Sequence, residues 1–290
     1  MLFLVNPVSG KRTIVRYLPQ VIRIFMDGGY LVTAAVTSRR GEATEIVADI
    51  GKDFDAVCCA GGDGTLNEIL TGLAGSKTFV PVGYIPCGST NDFAACHNLS
   101  SDILTAAKNI VSGKSTFYDI GTFGDQYFSY VAAFGAFSWL SYTTDQNLKN
   151  ALGHTAYILD GIKDLSKIKP YAMKITANGV VHEGAYIFGA VSNSTSIAGT
   201  IRLPESMVDT CDGVFECLLI RMPETVLDLD WIVRSLVQQE YDCPFLDVFQ
   251  ASEFQVDNPE KIIWALDGES SDLYTQCSIR TVPRCFQLLG

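Results

Sequence analysis

The strongest constraint on how this chain can fold is a unit repeated along its first 120 or so residues: a short apolar run, a turn crowded with Gly, Ser, Thr or Asn, then a helix-like stretch. Val57 to Leu70, VCCAGGDGTLNEIL, shows the unit most plainly. MLFLV, YLVTAAVT, DAVCCA and VGYIP read as strands, and TIVRYLPQVIRIFMDGG, GEATEIVADI, TLNEILTGLAG and SDILTAAKNIVSG as helices. Strands separated by helices pair in parallel, and right-handed crossovers place those helices on both faces of the sheet. The pattern predicts a doubly wound α/β domain over residues 1–122.

Beyond residue 123 the texture changes to longer aromatic and β-branched runs, such as YAMKITANGVVHEGAYIFGAVSNS, VFECLLIRM and KIIWALDG. Asn178–Gly179 between two such runs signals a hairpin. Helical patterns persist over 151–166 and 224–238. The remainder reads as a mainly antiparallel β-sandwich domain over 123–276, and the tail SIRTVPRCFQLLG suits either domain. At 290 residues the chain has room for two such domains.

A formal net charge of −11 argues against broad electrostatic capture of nucleic acid or of an anionic membrane face. Lys163, Lys167, Lys169 and Lys174 form a small basic stretch that reads as a solvated face. Nine cysteines without C-x-x-C or zinc-type spacing read as small buried hydrophobes in a reducing cytosol. No stretch approaches the roughly 18 apolar residues of a membrane span, and the amino-terminal run is too short for a secretion signal. A phosphate-bearing ligand must therefore be held by local dipoles, a few cations or a metal.

Three turns follow strand-like runs: NPVSGKR, GGDGTLNE and PCGSTNDFA. In open α/β sheets ligands bind beyond the carboxyl ends of the strands, where backbone N–H groups of turns and helix N-termini face outward. None of the three is a Walker A loop or a G-x-G-x-x-G fingerprint. The local reading of GDGTLNE is a capping box, with Thr65 as N-cap and Glu68 three residues on. A cap does not need three glycines, Asp63 and Asn67 around it, which favours a ligand. GSTND allows a cap at Ser89 with Asp92, and NPVSG allows a plain turn; their coincidence on one sheet edge marks that edge as the expected site.

With only His97, His154 and His182 in the chain, acid–base work falls to carboxylates. WALDGES carries Asp267 and Glu269, and VDTCDGVFE carries Asp209 and Asp212; each Asp-Gly also reads as a simple turn. A kinase needs a carboxylate to accept the proton of the attacking hydroxyl and a divalent cation to spread phosphate charge.

NPVSGKR, GGDGTLNE and IPCGSTNDFA, followed far downstream by LDGE, resemble the soluble diacylglycerol kinase family of lipid kinases, relatives of sphingosine and ceramide kinases and, more distantly, of NAD kinase. LKNALGHTAYILDGIKDL and SNSTSIAGTIRLPESMVDTCDGVFECLLI look like the family's middle region. The resemblance implies an N-terminal Rossmann-like ATP-binding domain completed by a returning strand at 277–290, a C-terminal β-sandwich domain for the lipid, and an active site in the cleft between them. It implies that Asn6, Pro7, Val8, Ser9, Gly10 and Thr37 line the nucleotide. Gly62, Asp63, Gly64, Thr65, Leu66, Asn67 and Glu68 would form the phosphate turn, joined by Ser89 where the family commonly has Thr. Glu269 falls at the general-base position with Asp267 beside it, and Asp63 would help hold a catalytic Mg²⁺. Asp212, with carbonyls of Asp209 and Val214, matches a structural Mg²⁺ site.

The expectation is thus an ATP- and Mg²⁺-dependent kinase making phosphatidic acid from diacylglycerol at the membrane surface, cytoplasmic and peripherally associated, with a homodimer plausible. Acyl chains would enter an apolar cleft, and the stretch Tyr127 to Trp139 reads as core before it reads as that cleft. Ser270 to Asp272 stand where bacterial members often have an aromatic and two glycines, which leaves open phosphatidylglycerol, a sphingoid base or a small polyol as acceptor. A nucleotide- or lipid-binding module without catalysis is the rival of another class.

Overall fold

The computed structural model describes residues 1–113, 115–135, 169–197 and 201–290. Its first part runs β1 (Leu2–Val5), α1 (Ile14–Asp27), β2 (Thr33–Val36), α2 (Glu42–Ile50), β3 (Val57–Gly61), α3 (Asp63–Ser76), β4 (Val82–Pro86), α4 (Asp92–Cys96) and α5 (Ile103–Ser112). The four strands pair in parallel in the order β4-β3-β1-β2. Side chains alternate across the sheet. Leu2 and Leu4 pack with Ala43 and Val47 of α2 and with Leu66, Ile69 and Leu73 of α3. Phe3 and Val5 pack on the other face with Val21 and Phe25 of α1 and Ile103 to Ile110 of α5. Apolar strands buried on both faces are what a doubly wound sheet requires, and the expected α/β class is what the chain adopts. β2 is shorter than its apolar run: at this sheet edge Leu31 stays exposed, and pairing begins at Thr33.

The second part comprises β5 (Ser115–Phe123), β6 (Gln126–Phe128), β7 (Val131–Gly135), β8 (Tyr171–Ala177), β9 (Val180–Ser192), β10 (Ser196–Ile197), β11 (Ile201–Arg202), β12 (Phe215–Arg221), α6 (Val226–Gln238), β13 (Leu246–Ala251), β14 (Glu253–Leu266) and β15 (Glu269–Leu289). Two long strands change partners midway. The start of β9 pairs with β8 and its end with β7 and β12. The start of β14 likewise pairs with β8 and its end with β7. Strands that switch layers in this way enclose a sandwich-like core, here filled by Phe123, Phe134, Met173, Tyr186, Phe215 and Trp264. The hairpin at Asn178–Gly179 forms with both residues at positive φ. α6 starts on a full capping box between Thr225 and Asp228.

β15 links the two parts. It pairs with β14 along its first half and with β5 along its second, and ends parallel to β4 through Leu288↔Val82 and Leu289↔Gly83. All nine cysteines are free thiols; Cys58, Cys59, Cys87, Cys217 and Cys243 are buried. Lys169 and Lys174 are exposed, as a solvated face requires. The helical pattern at 151–166, His154, Lys163, Lys167 and the end of the aromatic stretch at 136–139 lie outside the described residues; Phe128, Tyr130, Ala132 and Phe134 of that stretch are core. Among the described residues no helix is long and apolar enough to cross a membrane.

Candidate active site

Strand order reverses at β1, which has β2 on one side and β3 on the other. Such switch points open a crevice at the strands' carboxyl ends. Three glycine-rich turns meet there, backbone to backbone. A Cβ on Gly10, at φ +48°, would lie 2.4 Å from the carbonyl oxygen of Cys87, and one on Gly88 would lie 2.7 Å from the Cα of Gly62. No larger residue fits either approach. Asn6 adds a polar tie: its Nδ2 donates to Thr65 Oγ1 at 3.0 Å and its Oδ1 accepts from the Val8 amide at 3.1 Å.

These turns floor a cavity of about 410 Å³ lined by Asn6, Val8, Ser9, Thr37, Ser38, Arg39, Arg40, Gly62, Gly64, Thr65, Glu68 and Glu269. The N-terminus of α3 opens onto it. Gly62 is the N-cap there and no side chain caps the helix, so its first amides are available to an anion. The capping box read at Thr65 does not form, because the helix already starts at Asp63. Thr65 instead accepts from Asn6, and Glu68 takes the amides of Gly41 at 2.8 Å and Ala43 at 3.2 Å, fixing the start of α2 onto α3.

The cap read at Ser89 is displaced as well. Asn91, in the left-handed region, precedes α4, and its Oδ1 accepts from the Gly88 amide at 2.7 Å. Ser89 is exposed in the turn and lines neither cavity. Pro7 lines neither, and Leu66 is fully buried in the core behind the turn.

Asp63 turns toward α4, accepting the amides of Asp92 at 3.0 Å and Phe93 at 3.2 Å. Burial pushes its carboxyl up, the two amides pull it down, and Asp92 and Asp267 add repulsion. The negative charge gathered at Asp63, Asp92 and Asp267 suits a cation.

Opposite this floor stands the β14–β15 hairpin. Its turn residues Asp267 and Gly268 have φ +50° and +86°, with Leu266 paired to Glu269, as a two-residue turn of the primed type requires. Asp267 is buried and points inward. Its Oδ2 accepts from the Ser129 amide at 2.6 Å, Ser129 Oγ at 2.8 Å and Asn67 Nδ2 at 2.7 Å; its Oδ1 accepts from the amides of Tyr130 at 3.0 Å and Val131 at 3.1 Å. Burial raises this carboxyl, and the hydrogen bonds from Ser129, Tyr130 and Val131 oppose the rise. Asn67 thereby ties α3 to the hairpin.

Glu269 points outward. Its Oε2 pairs with Arg40 Nη2, and its Oε1 is 3.1 Å from where a Cβ on Gly64 would stand. On its far side lies a second cavity of about 270 Å³, lined by Thr44, Asn67, Thr71, Asp125, Gln126, Tyr127, Leu266, Asp267 and Ser270. Arg40, Gly64, Glu68 and Glu269 line both cavities. The structure thus brings Glu269 and the glycine-rich turns to one crevice and places Glu269 in the wall between its two halves, while Asp63 lines neither cavity and spends both carboxylate oxygens on the amides that begin α4.

Asp209, Asp212 and Val214 lie elsewhere, in the loop before β12, where Asp209 Oδ1 accepts from the Cys211 amide and Asp212 Oδ1 from the Val214 amide. The residue that gathers this loop is Asp119, which the sequence reading missed. Fully buried, it accepts from the amides of Gly213 at 2.7 Å and Arg284 at 2.6 Å, and burial raises its carboxyl, with Asp212 and Asp209 adding to the rise. Its only local signal is an acid inside an apolar strand. Among the described residues no three His, Cys, Asp or Glu side chains converge on a metal position.

Residues 1–123 match the family pattern described as "Diacylglycerol kinase catalytic domain". A diacylglycerol kinase of Bacillus subtilis is 31% identical over 267 residues, covering 91% of this chain and 88% of the relative. One from Staphylococcus aureus is 34% identical over 217 residues, covering 74% and 68%. The crystal structure of a Bacillus anthracis diacylglycerol kinase superposes with a TM-score of 0.79 at 23% identity, covering 99% of this chain and 96% of the other. That likeness supports the fold of an α/β N-terminal domain with a sheet-rich C-terminal one.

Proposed function

The chain belongs to the diacylglycerol kinase family, and from that premise we propose that it is an ATP-dependent lipid kinase moving the γ-phosphate to the primary hydroxyl of diacylglycerol, giving phosphatidic acid. The observation that carries the assignment of roles is the position of Glu269 in the wall between two cavities, beside the open N-terminus of α3. The phosphates would lie over Gly62 and Gly64, facing the first amides of that helix, with Asn6, Ser9 and Thr37 beside them. The acceptor hydroxyl would enter from the side of Thr71, Gln126 and Ser270. Glu269 takes its proton as the oxygen bonds to the γ-phosphorus and the bond to the bridging oxygen of ADP breaks. Asp267 acts through position, holding the hairpin and Asn67 in place.

A catalytic Mg²⁺ suits the surplus charge of Asp63 and Asp92, which would hold it through oxygen donors, and it would neutralise phosphate charge. The second Mg²⁺ implied for Asp209, Asp212 and Val214 has oxygen donors but no three-carboxylate cage, in keeping with an ion that retains several waters. In domain terms, 1–122 with 277–290 would carry the nucleotide and 123–276 the acceptor, the substrate being drawn from a membrane surface.

A second acceptor class has one observation in its favour: the acceptor-side cavity is rich in polar groups, including Thr71, Gln126 and Ser270. Incubation of the purified chain with labelled ATP and, separately, diacylglycerol, phosphatidylglycerol, a sphingoid base or a polyol tests both readings. Labelled phosphatidic acid supports the first. Label on a water-soluble polyol alone ends the lipid assignment, and ATP binding without turnover on any acceptor leaves a binding module.

A further inference from the structure

We propose that Arg40 is passed between the base and the nucleotide. In the free protein its guanidinium pairs with Glu269; when ATP enters, it turns to the terminal phosphate and releases the carboxylate to the acceptor hydroxyl. The inference rests on the kinase reading above and adds a positioning residue to it.

The backbone that presents Arg40 is fixed. Gly41 at φ +80° begins α2, its amide and that of Ala43 are held by Glu68, and Thr44 Oγ1 donates to the carbonyl of Glu68 at 2.8 Å. The side chain of Arg40 is free by contrast: it is 80% exposed, and its partner Glu269 is 51% exposed. An ion pair that exposed favours the paired state only ~5-fold at most, so it is easily exchanged. Arg40 also lines both cavities, and a swing of one long side chain carries the guanidinium from one to the other.

Cations are scarce at this site. Arg39 and Arg40 are the Lys or Arg residues lining the nucleotide-side cavity, and Arg39 is engaged by both carboxylate oxygens of Glu45. A triphosphate entering a chain of net charge −11 would find Arg40 the less committed of the two. Guanidinium binds phosphate oxygens bidentately, and a triphosphate offers it more negative charge than a single exposed carboxylate. Proton transfer gains from the same opening, since a guanidinium on Oε2 stabilises the ionised carboxylate and makes it a weaker base even though Oε1 is unpaired among the described residues.

Calorimetric titration of Mg²⁺-ATP into the wild type, Arg40→Gln, Glu269→Gln and the double variant, without acceptor, tests the exchange. Arg40→Gln should weaken ATP binding ~10- to 100-fold, as loss of a charge-assisted contact does. Glu269→Gln should tighten it up to ~5-fold by removing the competitor, and that gain should vanish in the Arg40→Gln background. Arg40→Lys should recover part of the affinity. Unchanged affinity in Arg40→Gln overturns the exchange, as does a double variant restored to wild-type affinity, which would mean that Arg40 only shields Glu269. If these failures occur while Glu269→Gln still abolishes turnover, the kinase reading stands and the exchange alone falls; a wild type that binds no ATP overturns both.

Discussion

Asp267→Asn is the substitution whose cost can be worked most directly from the structure. Asp267 sits in the left-handed region, which Asn adopts readily, so the change leaves the turn unstrained and alters only the hydrogen bonds. The carboxylate accepts five donors, two on Oδ1 and three on Oδ2. If the new amide nitrogen replaces Oδ1, it faces the amides of Tyr130 and Val131. If it replaces Oδ2, the Ser129 hydroxyl can rotate to accept, yet the Ser129 amide and Asn67 Nδ2 still face a donor. Either way two buried donors lose their partner, at ~1–3 kcal/mol each, for a total of ~2–6 kcal/mol. Urea unfolding at neutral pH with linear extrapolation reads the loss directly. A variant within ~0.5 kcal/mol of wild type, the scatter of a surface change, would refute the argument that Asp267 holds the hairpin as an ionised five-fold acceptor.

Glu269→Gln should do the reverse: its exposed pair with Arg40 contributes at most ~1 kcal/mol, so stability barely moves while turnover falls ~100-fold or more, as loss of a general base does; purified protein assayed for both decides it. Gly64→Ala should leave the fold intact or firmer by up to ~1 kcal/mol, since Ala suits a helix better. Its Cβ 3.1 Å from Glu269 Oε1 should nonetheless displace the carboxylate and lower kcat; unchanged kcat would remove Gly64 from the base's surroundings. His97, packed between the rings of Phe93 at 4.2 Å and Tyr118 at 4.5 Å, is pushed by burial down to about 4. Between about pH 6.5 and 4 the unfolded chain binds a proton that the folded ring resists, so stability falls as pH drops through that window. Full burial would make this ~3 kcal/mol, and the partly covered ring argues for ~1–2. His97→Phe should remove that share of the acid loss in melts compared at pH 7 and pH 4.5.

What was legible in the sequence depended on whether the signal was local. VGYIP becomes β4 without a residue's change, Asn178–Gly179 and Asp267–Gly268 become hairpin turns, and the alternation of the first part becomes a doubly wound sheet, because propensity and turn chemistry act over a few residues. The failures share a cause. Thr65 and Glu68 have the spacing of a capping box, yet both are claimed by partners distant in sequence, Asn6 and the start of α2. Asn91 and not Ser89 stands before α4, its side chain bonding Gly88, and the cap that Ser89 was read to make comes instead from Asp63, which takes the amides of Asp92 and Phe93. Asp119 and Arg40 act on residues 94 and 229 positions away, a separation that no local pattern records.

The pair Asp267 and Glu269 shows how such a separation becomes chemistry. In the local pattern they are two acids around one glycine, and only the family resemblance gives Glu269 the base's position. The turn sends the first inward, where five donors occupy every lone pair it can offer, and leaves the second at the mouth of two cavities. A buried carboxylate whose lone pairs are filled by donors has no free place for an incoming hydroxyl, whereas one held by a single exposed guanidinium is available once that partner leaves. On the proposed reading, exchanging their surroundings would leave no base at the cavity mouth; what separates the two acids is the positive φ of Asp267 and Gly268 and the donors of Ser129 to Val131 that receive the buried one.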